Sequence, residues 1–132
     1  MCQGGKIAYS PNGTTWFVTA STFGTSGIYG VAYGGGKFVA VGDAGKMAYS
    51  SDGSTWYPVP TSTFSTTIYK IAYGGGKFVA VGVSGKMAWS PDGITWTAVT
   101  PSPFVSEDIQ NIAYGGGKFV AVGQYGTIAT GY

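Results

Sequence analysis

The phrase Ala-Tyr-Gly-Gly-Gly-Lys-Phe-Val-Ala-Val-Gly occurs three times in this chain, beginning at Ala32, Ala72 and Ala113, so its copies stand 40 and 41 residues apart. Trp16, Trp56 and Trp96 keep the same beat. A Gly-Lys step recurs at Gly5-Lys6, Gly45-Lys46 and Gly85-Lys86 and decays to Gly126-Thr127. Self-similarity at this period marks a repeat architecture, in which one supersecondary unit buries its faces only against neighbours of its own kind.

One unit reads as four strands: Ile28 to Gly34 (A), Lys37 to Gly42 (B), Lys46 to Ser50 (C) and Thr55 to Val59 (D). The links are short and rich in Gly, Asn, Asp, Ser and Pro, which is hairpin chemistry, so A to D form an antiparallel meander. A looser stretch then runs to Phe23, Phe64 or Phe104. Strand B, Lys-Phe-Val-Ala-Val-Gly, is apolar on both faces and so calls for cover on both sides. Pro58 places D at an outer edge, where a missing N–H costs no ladder bond. Radially stacked sheets meet these demands. A solenoid coil has a shorter period, and a sandwich would alternate polar residues on its outer faces. The expected fold is all-β: β-propeller blades of four-stranded antiparallel meanders, about three per chain, in one repeat domain. The divisions are a partial blade over 1–27 (C and D), blades over 28–67 and 68–108, and a partial blade over 109–132 (A to C).

Composition agrees and narrows the chemistry. Gly supplies 24 of 132 residues and charged residues only 9%. The seven cations are all Lys, spread thinly against Asp43, Asp52, Asp92, Glu107 and Asp108, which is no nucleic-acid footprint. His and Arg are both absent, removing the commonest general base, the commonest metal ligand and the bidentate carboxylate clamp. No cofactor or metal is expected. Cys2 has no partner for an intrachain disulfide and reads as a free terminal thiol. No apolar run is long enough to span a bilayer and no signal peptide is evident, so a soluble chain without a membrane partner is expected.

The C to D turns read Ser10-Pro11-Asn12-Gly13-Thr14-Thr15-Trp16, Ser50-Ser51-Asp52-Gly53-Ser54-Thr55-Trp56 and Ser90-Pro91-Asp92-Gly93-Ile94-Thr95-Trp96. The Asp or Asn side chain accepts backbone N–H bonds, Gly supplies a positive φ, and the Trp ring is expected between sheets. This Ser-x-Asp-Gly-x-Thr-Trp pattern resembles the Asp-box, or BNR repeat, of sialidase-like propellers, one residue shorter than the usual Ser-x-Asp-x-Gly-x-Thr-Trp. The resemblance covers essentially the whole chain through its three copies. It implies that Asn12, Gly13, Trp16, Asp52, Gly53, Trp56, Asp92, Gly93 and Trp96 are structural staples. A sialidase would need an arginine cluster, so the chain is expected not to be an enzyme, and no residue is assigned to catalysis.

Propeller lectins use aromatic faces repeated from blade to blade, which nominates Tyr9, Tyr49 and Trp89 on strand C for a glycan or protein ligand. Asp43, Ser84, Gln124 and Tyr125 join them, because they vary between copies in the B to C turn of a rigid scaffold. The repeats are offset from the chain ends, so C and D at one end complement A and B at the other, with one surplus C strand. Three blades are too few for a ring, and closure between chains is expected: two copies giving six blades are favoured over three giving nine. The surplus strand is Lys6 to Ser10 or Thr127 to Tyr132, the latter being irregular at Thr130. The reading is a non-catalytic propeller that self-assembles as a binding or scaffold unit. Its alternatives are a lectin and an assembly-only fragment or propeller intermediate.

Overall fold

A computed structural model of the chain describes residues 6–24, 26–100, 102–104 and 106–131, so Cys2, Gly5 and Tyr132 lie outside the described residues. A first hairpin pairs β1 (Lys6–Tyr9) with β2 (Phe17–Ala20). Two four-stranded sheets follow: β3 (Ile28–Gly34), β4 (Lys37–Gly42), β5 (Met47–Ser50) and β6 (Tyr57–Pro58), then β7 (Ile68–Gly74), β8 (Lys77–Gly82), β9 (Met87–Ser90) and β10 (Thr97–Ala98). A three-stranded sheet ends the chain, with β11 (Ile109–Gly115), β12 (Lys118–Gly123) and β13 (Ile128–Gly131). Every pairing is antiparallel and every sheet is a meander in chain order.

Strands A and B lie where the repeat places them; C and D are shorter than expected. Strand C starts at Met47 rather than Lys46 because Ala44, Ser84 and Tyr125 adopt left-handed backbone (φ 58°, 58° and 61°). That tight turn ends with the Lys46 N–H donating to the Asp43 carbonyl at 3.1 Å, so Lys46 closes the turn instead of entering the ladder. Thr127 does the same at the head of β13, with its N–H on the Gln124 carbonyl at 3.4 Å, and β1 stops at Tyr9. Strand D shrinks to Tyr57–Pro58 because the preceding turn claims the N–H groups of Ser54 and Thr55 for the Asp52 carboxylate. Pairing with β5 runs through Tyr57 and Pro58, and the Val59 N–H adds a bond to the Met47 carbonyl at 3.0 Å.

Strand order puts A and D at opposite edges of each four-stranded sheet, with Pro58 on the outer strand as its missing N–H requires. The A strands stand side by side, β3 against β7 and β7 against β11. The core fills the spaces between sheets. Val39 and Val41 of β4 meet Phe78 and Ala80 of β8 in one layer. Val79 and Val81 meet Phe119 and Ala121 of β12 in the next. A third layer puts Ala40, Ala48 and Trp56 beneath Ile7 of the first hairpin. One six-residue strand sequence thus has two burial outcomes. In β4 and β8 the four residues from the first Val to the final Gly are buried, whereas Val120 and Val122 of β12 face outward, 37% and 38% exposed.

Close approach at the A strands depends on missing side chains. A Cβ on Gly34 would overlap the Tyr73 ring, and one on Gly74 would overlap the Tyr114 ring, whereas a Cβ on Gly115 meets nothing within 4 Å among the described residues. Gly34→Ala should therefore cost roughly 1–3 kcal/mol through overpacking. Gly115→Ala should change the stability of a single chain by less than about 0.5 kcal/mol. Urea unfolding of the two variants checks the contrast.

Candidate functional site

At one end of the first hairpin and of the two four-stranded sheets lie the C to D turns, and their bonding is the same in three copies. The Ser50 hydroxyl donates to Asp52 Oδ1 at 3.0 Å and accepts the Gly53 N–H at 2.8 Å. Asp52 Oδ1 accepts the N–H groups of Ser54 and Thr55, both at 2.9 Å, and the Trp56 indole N–H donates to the Gly53 carbonyl at 2.9 Å. Ser90, Asp92, Gly93 and Trp96 repeat these contacts, and Asn12 Oδ1 takes the place of the carboxylate for Thr14 and Thr15. The two backbone donors hold the Asp52 carboxyl down at about 2, and the same cause lowers Asp92. Gly13, Gly53 and Gly93 sit at φ 84°, 83° and 82°, where a side chain would be strained.

Trp56 and Trp96 are buried between sheets, 8% and 7% exposed, as the repeat leads one to expect. Trp16 departs from that expectation at 59%, because among the described residues no further sheet lies against the outer side of the two-stranded hairpin.

The residues nominated for ligand binding do not form one site. Strand C runs from the B to C turn to the C to D turn, so Tyr9, Tyr49 and Trp89 lie near the latter while Asp43, Ser84, Gln124 and Tyr125 lie at the former. The aromatics are half-engaged by cross-strand neighbours: Tyr9 with Phe17 (5.5 Å between centroids), Tyr49 with Tyr57 (5.6 Å), and Trp89 beneath Lys77 Nζ at 5.9 Å. At the other end, two of the variable turn residues serve as clamps. Asp43 accepts the Gly27 N–H at 3.1 Å and the Thr67 hydroxyl at 3.3 Å, joining two blades. Gln124 Oε1 accepts the Asp108 N–H at 3.3 Å, and Asp108 in turn accepts the Ser84 N–H at 2.9 Å. Tyr125 alone stands clear, 88% exposed.

Around Asp43 the structure assembles a cluster that sequence reasoning passed over. Tyr29 and Tyr69 meet edge to face at 6.2 Å, and Lys70 Nζ donates to the Tyr29 carbonyl at 3.2 Å. A hydrogen bond to Asp43, with burial and the carboxylate charge behind it, raises the Tyr29 hydroxyl above its ordinary value. The signal was present: the third residue of strand A differs in every copy, Gly30, Lys70 and Asn111, and the second is Tyr29, Tyr69 or Gln110. These positions lie on the inner strand of their sheets, beside the B to C turn.

Cavities also open between the sheets. One, of about 400 Å³, opens between the second sheet and the last, beside Trp89, Val79, Phe119 and Thr130. Another, of about 510 Å³, lies between the first hairpin and the first full sheet, lined by Trp16, Phe17, Ile28 and Val31 among others.

No protein-family model and no curated protein sequence matches the chain. Solved structures do. Virginiamycin B lyase from Staphylococcus aureus superposes with a TM-score of 0.73 at 12% identity, over 96% of this chain and 48% of that one. The fold is a β-propeller. YCF48 from Cyanidioschyzon merolae superposes with a TM-score of 0.67 at 20% identity, over 80% of this chain and 34% of its own. A structure of YCF48 bound to D1 peptide gives 0.66 at 20%, over 78% and 36%. The chain thus spans a third to a half of the propellers it resembles.

The lowered carboxyls set a pH dependence. A folded pKa below the unfolded one adds stability that is complete above the ordinary Asp value of 3.8 and is lost as pH falls towards about 2. Asp52→Asn keeps the acceptor that Asn12 already provides. Thermal melts between pH 5 and 2 should show a shallower acid loss in Asp52→Asn than in the parent.

Proposed function

We propose that this chain is a non-catalytic β-propeller module whose ring is completed by a second copy, serving as a binding or scaffold unit. The observation that carries this is the outer face of β12. Its sequence is that of β4 and β8, whose valines are buried, and full burial of such a side chain contributes about 1.5–3 kcal/mol. An exposed face of that composition calls for the cover that β4 and β8 receive, which is another blade of this repeat. In the same reading the C to D turns are Asp-box staples, consistent with their identical bonding in all three copies.

Catalysis finds little support. Asp43, Asp52, Asp92 and Asp108 each accept backbone or hydroxyl donors within the fold. For a binding role, the rim of Tyr29, Tyr69 and Lys70 is the surface we assign to a protein partner. A propeller of similar fold was solved with a peptide bound, which fits that class of ligand. A lectin is the second reading, favoured by Trp89 and Tyr57, which stay 38% and 50% exposed on the outer strands.

Light scattering should give a particle of two chains, and a folded single chain at micromolar concentration would count against ring completion. On a glycan array, sugar-competed binding lost in Trp89→Ala would favour the lectin, whereas silence favours the rim and a protein partner.

A further inference from the structure

The 400 Å³ cavity has the outline of a missing tryptophan. Trp96 is buried among Val39, Met47, Val59, Ile71, Phe78 and Ala80. One repeat further along, the corresponding residues are Val79, Met87, Val99, Ile112, Phe119 and Ala121, and all six line the cavity. Here the pocket is present and its indole is not. At the other end of the chain, Trp16 carries the same turn and the same indole bond to Gly13, yet stands 59% exposed.

Three further mismatches have the same form. Among the described residues a Cβ on Gly115 would meet nothing within 4 Å, where Gly34 and Gly74 each lie under a tyrosine ring, while Tyr33, the counterpart of those tyrosines, is 57% exposed. Among the described residues, strand β1 is paired on one edge, by β2. Its competitor for the edge of β12, β13, has Thr130 and Gly131 where the other C strands carry Tyr9 and Ser10, Tyr49 and Ser50, or Trp89 and Ser90. Gly131 has no hydroxyl to anchor a C to D turn as Ser50 and Ser90 do. Charge agrees as well: Lys37 acts on Asp92 of the next blade, and the corresponding pair across a closed joint is Lys118 with Asp52.

We propose that the β1–β2 hairpin of a second copy replaces β13 on the edge of β12 and seats its Trp16 in this cavity. The inference rests on ring completion by a second copy and specifies the joint. The joint blade takes A and B from one chain and C and D from the other. In that blade Tyr9 stands opposite Val120, as Tyr49 stands opposite Val39 and Trp89 opposite Val79. Before assembly β13 covers the β12 edge, pairing Thr130 with Val120, and so protects it from indiscriminate strand addition.

Two variants in a Cys2→Ser background test this. Tyr9→Cys with Val120→Cys should give a covalent two-chain band on a non-reducing gel after mild oxidation. Trp16→Ala removes a side chain that is exposed in the single chain, so circular dichroism should stay native while assembly weakens roughly 30-fold or more, as for a hot-spot anchor. A parent-like assembly with no interchain link and full tolerance of Trp16→Ala would overturn the strand exchange and leave ring completion standing. A parent protein that stays a single chain would remove both.

Discussion

Strand B is apolar on both faces, and a sheet built on it has no side to give to water. The lateral packing of the fold answers this. Alternate residues of β4 and β8 point to opposite neighbours, so each sheet is at once floor and ceiling: Val39 and Val41 look forward while Phe38 and Ala40 look back. A stack held together in this way has no natural end. Wherever it stops, as at β12, the residues that are core in every other copy become surface.

The small residues serve that same stacking. Gly34 and Gly74 let the tyrosine of the following blade lie on the backbone, and the C to D turns fix the angle at which each indole enters the neighbouring layer. These turns spend their polar groups internally, with Ser, Asp and Trp each bonded to the turn's own backbone. The opposite end is built differently. There the bonds of Asp43 and Asp108 run between blades, and the residues around them change from copy to copy. One end is uniform because packing dictates it; the other is free to vary because a few clamps hold the backbone whatever Tyr29, Tyr69 and Gln110 become.

Much of this could be read from the repeat. The spans of strands A and B, the outer place of the strand with Pro58 and the burial of Trp56 and Trp96 all follow from period and turn chemistry. The short D strand was not legible, because whether Ser54 and Thr55 bond across the sheet or back to Asp52 depends on turn geometry that composition does not reveal. The bonds made by the candidate site residues were hidden for a related reason. Asp43 and Gln124 vary between copies and so looked like ligand-facing residues, but their partners Gly27, Thr67 and Asp108 are distant in the chain. The exposure of Trp16 could not come from its own turn, which matches the other two; it comes from the sheet that is not beside it.

The two ends of the stack carry complementary defects, an indole without a pocket and a pocket without an indole, a tyrosine without its glycine and a glycine without its tyrosine. Direct imaging of the assembled particle by electron microscopy decides whether these meet. Six four-stranded blades around one axis, two of them shared between chains, are the predicted result. An open fan of sheets with Trp16 in solvent, or a ring whose blades each come from one chain, would contradict it.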